Sequence, residues 1–156
     1  MFDAFSKLLI PVDFSEPSLA ALRMGDTIAK AFGSKMHLLH VVERSPYEVY
    51  AAEGVLPIDP GLPVVNGQVW DAESIKKAML GQLEQLAAQS RGGPCTVEVR
   101  EGNPAAEILA SAKSHQCSAI VICTNGRTGL SHLMMGSVAE KVVRASPIPV
   151  LTIRAQ

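Results

Sequence analysis

The stretch AIVICTNGRTGLSHLMMGSVAEKVV, residues 119–143, carries the clearest structural signal in the chain. Its first five residues are all apolar, which is typical of a strand covered on both faces. Turn-forming residues follow, and apolar residues recur at helical spacing after Gly136 and Ser137. The residues predicted to be buried in this helix are Val138, Val142 and Val143. A strand that passes through a turn directly into a helix indicates an α/β fold with a parallel sheet.

Elsewhere in the chain, further short apolar runs alternate with helical patterns. The predicted strands are residues 7–13, 35–42, 96–101, 119–124 and 149–153. All are nearly continuous in apolar residues except residues 96–101, TVEVRE, which alternate between polar and apolar. Alternation is typical of a half-exposed strand, so we expect this third strand at an edge of the sheet.

Amphipathic helices are predicted between the strands. They cover residues 18–32, residues 73–90, a segment that begins at Pro104 after the N-cap Asn103, and a segment that follows Ser137 and stops at Ser146 and Pro147. The apolar faces of the first three comprise Ala21, Leu22, Gly25, Ile28, Ala29 and Phe32, then Ile75, Met79, Leu83 and Leu86, and then Ile108, Leu109 and Ala112. Right-handed crossovers place such helices on both faces of the sheet, so the expected architecture is a three-layer α/β/α sandwich.

Residues 43–70 interrupt this rhythm. Prolines at positions 46, 57, 60 and 63 rule out a single long helix. The segment is too long for a plain connection, and we interpret it as a lid, a partner surface or a partly ordered excursion. No internal repeat or domain boundary is evident, so we expect one domain over residues 1–156.

Charge and cysteine content disfavour several classes of function. The formal net charge is −1 with both signs interspersed, whereas nucleic-acid binding relies on clustered Lys and Arg. Cys95, Cys117 and Cys123 lack the spacing of a disulfide framework or a zinc site, so we expect reduced thiols and no metal. No apolar run approaches the roughly 18 residues of a membrane span, and no secretory signal is evident. We therefore expect a cytoplasmic protein that binds neither nucleic acid nor membrane.

A candidate anion site lies in the turn between residues 124 and 137. Ligands of open parallel sheets bind beyond the carboxyl ends of the strands. Gly126 and Gly129 let the backbone approach a ligand closely, and Arg127 adds a cation. Gly136 and Ser137 open a helix whose first amides and positive dipole end attract phosphate. A connecting loop with an N-cap serine is equally compatible with this spacing.

Two other strand ends offer weaker candidates. Asp13 can accept hydrogen bonds from a nucleotide sugar or base, although Asp is also common in structural turns. Val41 offers only its backbone groups, which suit an adenine edge. The histidines at positions 37, 40, 115 and 132 stand apart in the sequence, and we interpret them as surface or satisfied polar residues.

Three segments resemble the universal stress protein family. They are LLIPVDFSEPSLAAL near the start, HLLHVVE in the middle and NGRTGLSHLMMGSVAEKVVRASPIPVLTI at the end, and the resemblance covers the whole chain. ATP-binding members carry the motif G-x2-G-x9-G-[ST] after the fourth strand. Gly126, Gly136 and Ser137 match this motif, whereas Cys123 replaces its first glycine. The thiol of Cys123 then either crowds the nucleotide or points into the core.

The resemblance implies a Rossmann-like sheet of strand order 3-2-1-4-5, related to the adenine nucleotide α-hydrolases. It implies a stress-response regulator or partner-binding module that binds ATP, or AMP or ADP, with or without Mg²⁺. The positions implied to bind the nucleotide are Pro11, Val12, Asp13 and Val41 around the adenosine, and Cys123, Gly126, Arg127, Gly129, Gly136, Ser137 and Val138 near the phosphates. It also implies a homodimer formed through the last strand, which begins at Pro149 and ends at Ile153.

Alternatives remain open from the sequence. One is a nucleotide-free dimeric interaction protein of the same fold that lost ATP binding through Cys123. Another is an enzyme, although no P-loop, nucleophile elbow, carboxylate pair or histidine cluster is evident, and at most slow ATP hydrolysis through His40 and Asp13 is expected. Cys123 itself is either an inert core cysteine or a redox-sensitive thiol whose pKa is lowered near a helix N-terminus.

Overall fold

The computed structural model describes residues 5–43, 64–65, 68–69, 72–125 and 135–154. Its elements in chain order are β1 Lys7–Pro11, α1 Glu16–Phe32, β2 Lys35–Val42, β3 Val64–Val65, β4 Gln68–Val69, α2 Ala72–Gln89, β5 Cys95–Glu101, α3 Pro104–Ser114, β6 Ala119–Cys123, α4 Ser137–Ala145 and β7 Val150–Ile153. Apart from the short strands β3 and β4, they are the strands and helices that hydrophobic periodicity predicts, with ends that differ by one or two residues.

The long strands form one parallel sheet in the order β5-β2-β1-β6-β7. Numbered by their position among the long strands, this is the predicted order 3-2-1-4-5. β5 lies at one edge, as its alternating sequence predicts, and β7 lies at the other. The order reverses between β1 and β6, and such a reversal opens a crevice at the carboxyl ends of the strands.

Helices cover both faces of the sheet, which confirms the three-layer architecture. Successive residues of β1 point to opposite faces, since side chains alternate along a strand. Ile10 therefore packs in a core with residues of α1 and α2, whereas Leu9 packs in a second core with residues of α3 and α4. Both side chains are fully buried.

Two residues predicted to face the core are exposed instead. Phe32 is 66% exposed because it is the last residue of α1, and its ring packs on Phe5, with ring centroids 5.2 Å apart. Val143 is 43% exposed, whereas its neighbour Val142 is fully buried. Adjacent helical residues point about 100° apart, so the narrow buried stripe of α4 takes one of the two valines.

Residues 43–70 contain one described feature beyond Glu43, an antiparallel pair of the short strands β3 and β4. The rest of the predicted lid, partner surface or excursion lies outside the described residues. No helix in the described part of the chain is both long enough and apolar enough to span a membrane.

Candidate functional site

A cavity of about 580 Å³ lies at the carboxyl ends of β1, β2 and β6, where the strand order reverses. The predicted site residues among its lining are Pro11, Val12, Asp13, Val41, Cys123, Gly136, Ser137 and Val138. Three further predicted positions, Gly126, Arg127 and Gly129, lie outside the described residues. The volume is within the range of about 300–1,000 Å³ that is usual for small-molecule sites.

Asp13 forms a tight turn between β1 and α1. Its Oδ1 accepts a hydrogen bond from the backbone N–H of Ser15 at 2.9 Å and another from the Ser15 hydroxyl. The Ser15 side chain in turn caps α1 by accepting from the N–H of Ser18. Between them, Phe14 has a positive φ of 64°, a left-handed conformation that is uncommon for a bulky residue. The turn therefore fixes one carboxylate oxygen of Asp13 while the residue lines the cavity.

His40 is a polar residue of the cavity wall that sequence analysis treated as isolated. It is 6% exposed, and its Nδ1 lies 2.7 Å from the carbonyl oxygen of Val12. A carbonyl can only accept, so Nδ1 carries the hydrogen and the neutral ring keeps an acceptor at Nε2. The ring of Phe14 packs against it, with centroids 4.9 Å apart. The cavity is thus lined by both His40 and Asp13, the pair considered above for slow ATP hydrolysis.

The N-terminus of α4 opens onto the cavity, and no side chain among the described residues caps it. Its N-cap is Gly136, and Ser137 is the first helical residue, so the alternative of an N-cap serine is wrong. By contrast, Ser15 caps α1 and Asn103 caps α3 through side-chain oxygens. The first amides of a helix have no intrahelical partners and lie at the positive end of the dipole, so an uncapped turn favours an anion.

Cys123 ends β6 at the border between the cavity and the core. Its side chain is 9% exposed, belongs to the core under α1 and α2, and donates a hydrogen bond to the carbonyl oxygen of Asn125 at 2.9 Å. Burial, and then the charge of Asp13, raise the pKa of this thiol to about 11. The thiol is therefore protonated at neutral pH, which disagrees with a redox-sensitive thiolate. The cavity of about 580 Å³ exists with the thiol in place.

Apolar side chains from two helices complete the walls and were missed by sequence analysis as site residues. Ile75 and Met79 come from α2, and Pro104 and Ile108 come from α3. Helical spacing identified Ile75, Met79 and Ile108 as inward-facing. It carried no signal that the N-terminal halves of α2 and α3 line the cavity.

The fold and the site together define the class of protein. It is a doubly wound α/β domain in which the N-terminus of α4 opens onto the cavity at the carboxyl ends of the strands. The model of the universal stress protein family matches residues 4–154. The chain therefore belongs to the universal stress protein family, as the resemblance of its three segments implies.

Relatives in sequence and structure agree with this assignment. Universal stress protein MJ0531 of Methanocaldococcus jannaschii is 34% identical over 150 residues, covering 96% of this chain and 82% of that protein. The solved structure of MJ0577, from the same organism, has a TM-score of 0.76 at 23% identity and matches 98% of both chains. The universal stress protein of Archaeoglobus fulgidus in complex with dAMP has a TM-score of 0.63 at 20% identity, covering 98% of this chain and 99% of that one.

Proposed function

We propose that the protein binds an adenine nucleotide, ATP in the first place, in the cavity at the carboxyl ends of β1, β2 and β6. In this proposal it acts in the cytoplasm as a stress-response regulator or partner-binding module. The observation that carries the proposal is the uncapped N-terminus of α4, with Gly136 and Ser137 lining the cavity. Among the described residues no side chain caps the first amides of this helix, and a phosphate group would supply acceptors for them.

The remaining lining suits the nucleoside. Apolar side chains of Ile75, Met79 and Ile108 offer a dry surface for the base, and the backbone of Val41 offers hydrogen bonds to an adenine edge. Asp13 offers carboxylate oxygens to the ribose hydroxyls. The relative from Archaeoglobus fulgidus was solved with dAMP, an adenine nucleotide, which supports the choice of base. Contacts of the phosphates and Mg²⁺ with Gly126, Arg127 and Gly129 stay predictions from the motif.

Isothermal titration calorimetry tests the proposal directly. We expect purified protein at about 100 µM to bind Mg-ATP with a dissociation constant below that concentration, corresponding to more than about 5 kcal/mol of binding free energy. Parallel titrations with ADP and AMP measure how much the β- and γ-phosphates contribute to the binding free energy. Mg-GTP is the matched control for the base. No heat with any adenine nucleotide would reject the proposal.

A nucleotide-free interaction protein is the alternative, because Cys123 replaces a motif glycine that ATP-binding members carry. The variant Cys123→Gly separates the two functions, since it restores the motif and removes a side chain at the cavity border. If wild-type protein gives no heat and the variant binds ATP, the thiol has closed the site. If both bind with similar affinity, Cys123 is compatible with the ligand and the alternative is wrong.

We also propose a homodimer through β7. This strand is an edge of the sheet, and an unpaired apolar edge invites pairing with another chain. Leu151 in β7 is 39% exposed, and the neighbouring helix α4 exposes 43% of Val143. We expect wild-type protein to sediment as a dimer and Leu151→Lys to sediment as a monomer, because a buried unpaired lysine at the interface is unfavourable. Phe32→Lys, at the exposed end of α1, is the control, and a monomeric wild type would contradict the proposal.

A further inference from the structure

A cluster of three potential metal ligands lies on the face of the sheet that α3 covers. His37 comes from β2, Glu98 from the edge strand β5, and His115 follows the last turn of α3. Each residue offers one ligand atom, and these atoms all lie within 4.8 Å of one another. None of the three residues lines the nucleotide cavity, so the cluster is a separate site.

Two of the three distances between the ligand atoms match a tetrahedral metal centre, and the third is at most 4.8 Å. Glu98 Oε2 lies 3.2 Å from Nε2 of His37 and 3.2 Å from Nε2 of His115. The two imidazole rings stack, with centroids 3.9 Å apart and planes at 30°. Around a four-coordinate zinc ion with bonds of about 2.0 Å, neighbouring ligand atoms are about 3.3 Å apart. Two edges of such a tetrahedron are already present.

Thr96 and Glu98 contact the two ring nitrogens of His37. Its Nδ1 lies 2.7 Å from Thr96 Oγ1, and its Nε2 lies 3.2 Å from Glu98 Oε2. When Nδ1 donates to Thr96, Nε2 keeps the lone pair that a metal ion requires. A metal ion at Nε2 would therefore displace the proton that His37 otherwise shares with Glu98.

The groups around the cluster fix the carboxylate in place. Arg100 Nε lies 2.9 Å from Glu98 Oε1, which leaves Oε2 as the single ligand oxygen. The Ser111 hydroxyl donates to Oε2 at 2.7 Å and orients it. The cations of Arg100 and of Lys7, whose Nζ donates to the carbonyl oxygen of His115, oppose a second positive charge and limit the affinity. Two neutral imidazoles and one carboxylate suit zinc, whereas Ca²⁺ and Mg²⁺ prefer oxygen ligands.

We propose that His37, Glu98 and His115 bind one divalent transition-metal ion, with Zn²⁺ as the best match. The fourth position faces the side of His115, whose side chain is 34% exposed, and takes water or an external ligand. The ion joins β2, β5 and the end of α3, so its binding energy stabilises the sheet edge.

A competition titration tests this site. Full-length protein freed of metal by chelation is titrated with Zn²⁺ in the presence of a chromophoric zinc indicator. We expect one ion per chain with a dissociation constant of about 1 µM, and His115→Ala should weaken binding by about 100-fold. His115 is partly exposed, so its loss leaves the fold intact. His132→Ala, a histidine outside the described residues, is the control and should bind as wild type does.

Thr96 provides a second variant pair, since it orients the ring of His37 without touching the metal. Loss of such an orienting partner weakens metal affinity by about 10–100-fold, so we expect this of Thr96→Val and wild-type affinity from Thr96→Ser. Zn²⁺ should also raise the Tm of wild type but not of His115→Ala. Absence of Zn²⁺ binding by wild type at about 100 µM, or equal binding by His115→Ala, would overturn the proposal. Absence of Zn²⁺ binding would mean that a proton, and not a metal ion, lies between Nε2 of His37 and Oε2 of Glu98.

Discussion

Replacing Gly136 with phenylalanine is expected to abolish ATP binding while the fold remains intact. Gly136 has φ −59° and ψ 150°, a conformation open to any residue, so the glycine is not required by backbone geometry. Gly136 lines the cavity directly before the first turn of α4. A side chain at this position would separate that turn from a ligand, so we attribute the glycine to the close approach of a ligand. In the proposed complex, a phenyl ring there would occupy the space of the phosphates and cover the first amides. We expect at least about a 100-fold loss of affinity by calorimetry, or about 2.7 kcal/mol.

Two measurements keep this result interpretable. An apolar residue is a poorer N-cap than glycine, so Gly136→Phe should lower the free energy of unfolding by about 1 kcal/mol, which leaves the domain folded. Gly136→Ala is the matched small substitution and should weaken binding less than phenylalanine does. A folded Gly136→Phe variant with the ATP affinity of wild type would show that the phosphates are held elsewhere.

Periodicity in the sequence predicted the sheet, one of its edges and its two helical layers, whereas the full strand order came from the family resemblance. Nearly continuous apolar runs mark strands buried on both faces, and the alternation in TVEVRE placed β5 at an edge. In the structure the polar side chains of that strand, Thr96 and Glu98, lie toward the face of α3, while Val97 packs under α1 and α2. Hydrophobic periodicity wrongly predicted that Phe32 and Val143 are buried. It gives the direction in which the apolar stripe of a helix faces, but neither the width of that stripe nor the point at which the neighbouring sheet ends.

Contacts that join distant segments were beyond the reach of the sequence. Sequence analysis saw no histidine cluster, yet His37 and His115 stack on each other and share Glu98. Two features bring these side chains together. The register of β2 against β5 sets His37 opposite Thr96, and α3 ends so that His115 is its C-cap. Neither the register nor the end of the helix follows from spacing within one segment. The cavity lining from α2 was missed for the same reason.

Cys123 shows a different limit of the sequence. Its place at the end of an apolar run predicted burial, which is confirmed at 9% exposure. The last residue of a strand borders both the core and the cavity. The apolar run of β6 alone therefore did not show whether the side chain of Cys123 points into the core or toward the cavity. The structure shows the thiol packed in the core, bonded to Asn125, and still at the cavity border. Its effect on a nucleotide therefore has to be measured.

Replacing Gly92 with alanine is expected to give the largest loss of stability from a single added methyl group. Gly92 is a buried residue in the otherwise exposed or half-buried connection between α2 and β5, and it lies directly on the backbone of α1. A Cβ there would lie 2.8 Å from Asp26 Cα and 2.9 Å from Ala29 Cβ. These atoms belong to a packed helix and cannot rotate away, so the connection or the helix must shift. Ser90 anchors the same connection by donating to Asp26 Oδ1 at 2.5 Å. We expect a loss of about 2–3 kcal/mol in urea unfolding.

Gly81→Ala is the matched control, because it makes the same chemical change in the interior of α2. A Cβ at Gly81 meets no other atom within 4 Å, so only helix propensity changes, and we expect a gain of about 0.5–1 kcal/mol. Both variants are compared with wild type at one protein concentration, since a dimer makes unfolding concentration-dependent. Opposite signs for the two substitutions would identify close packing on α1 as the cause. A Gly92→Ala variant as stable as wild type would mean that the connection does not press on α1.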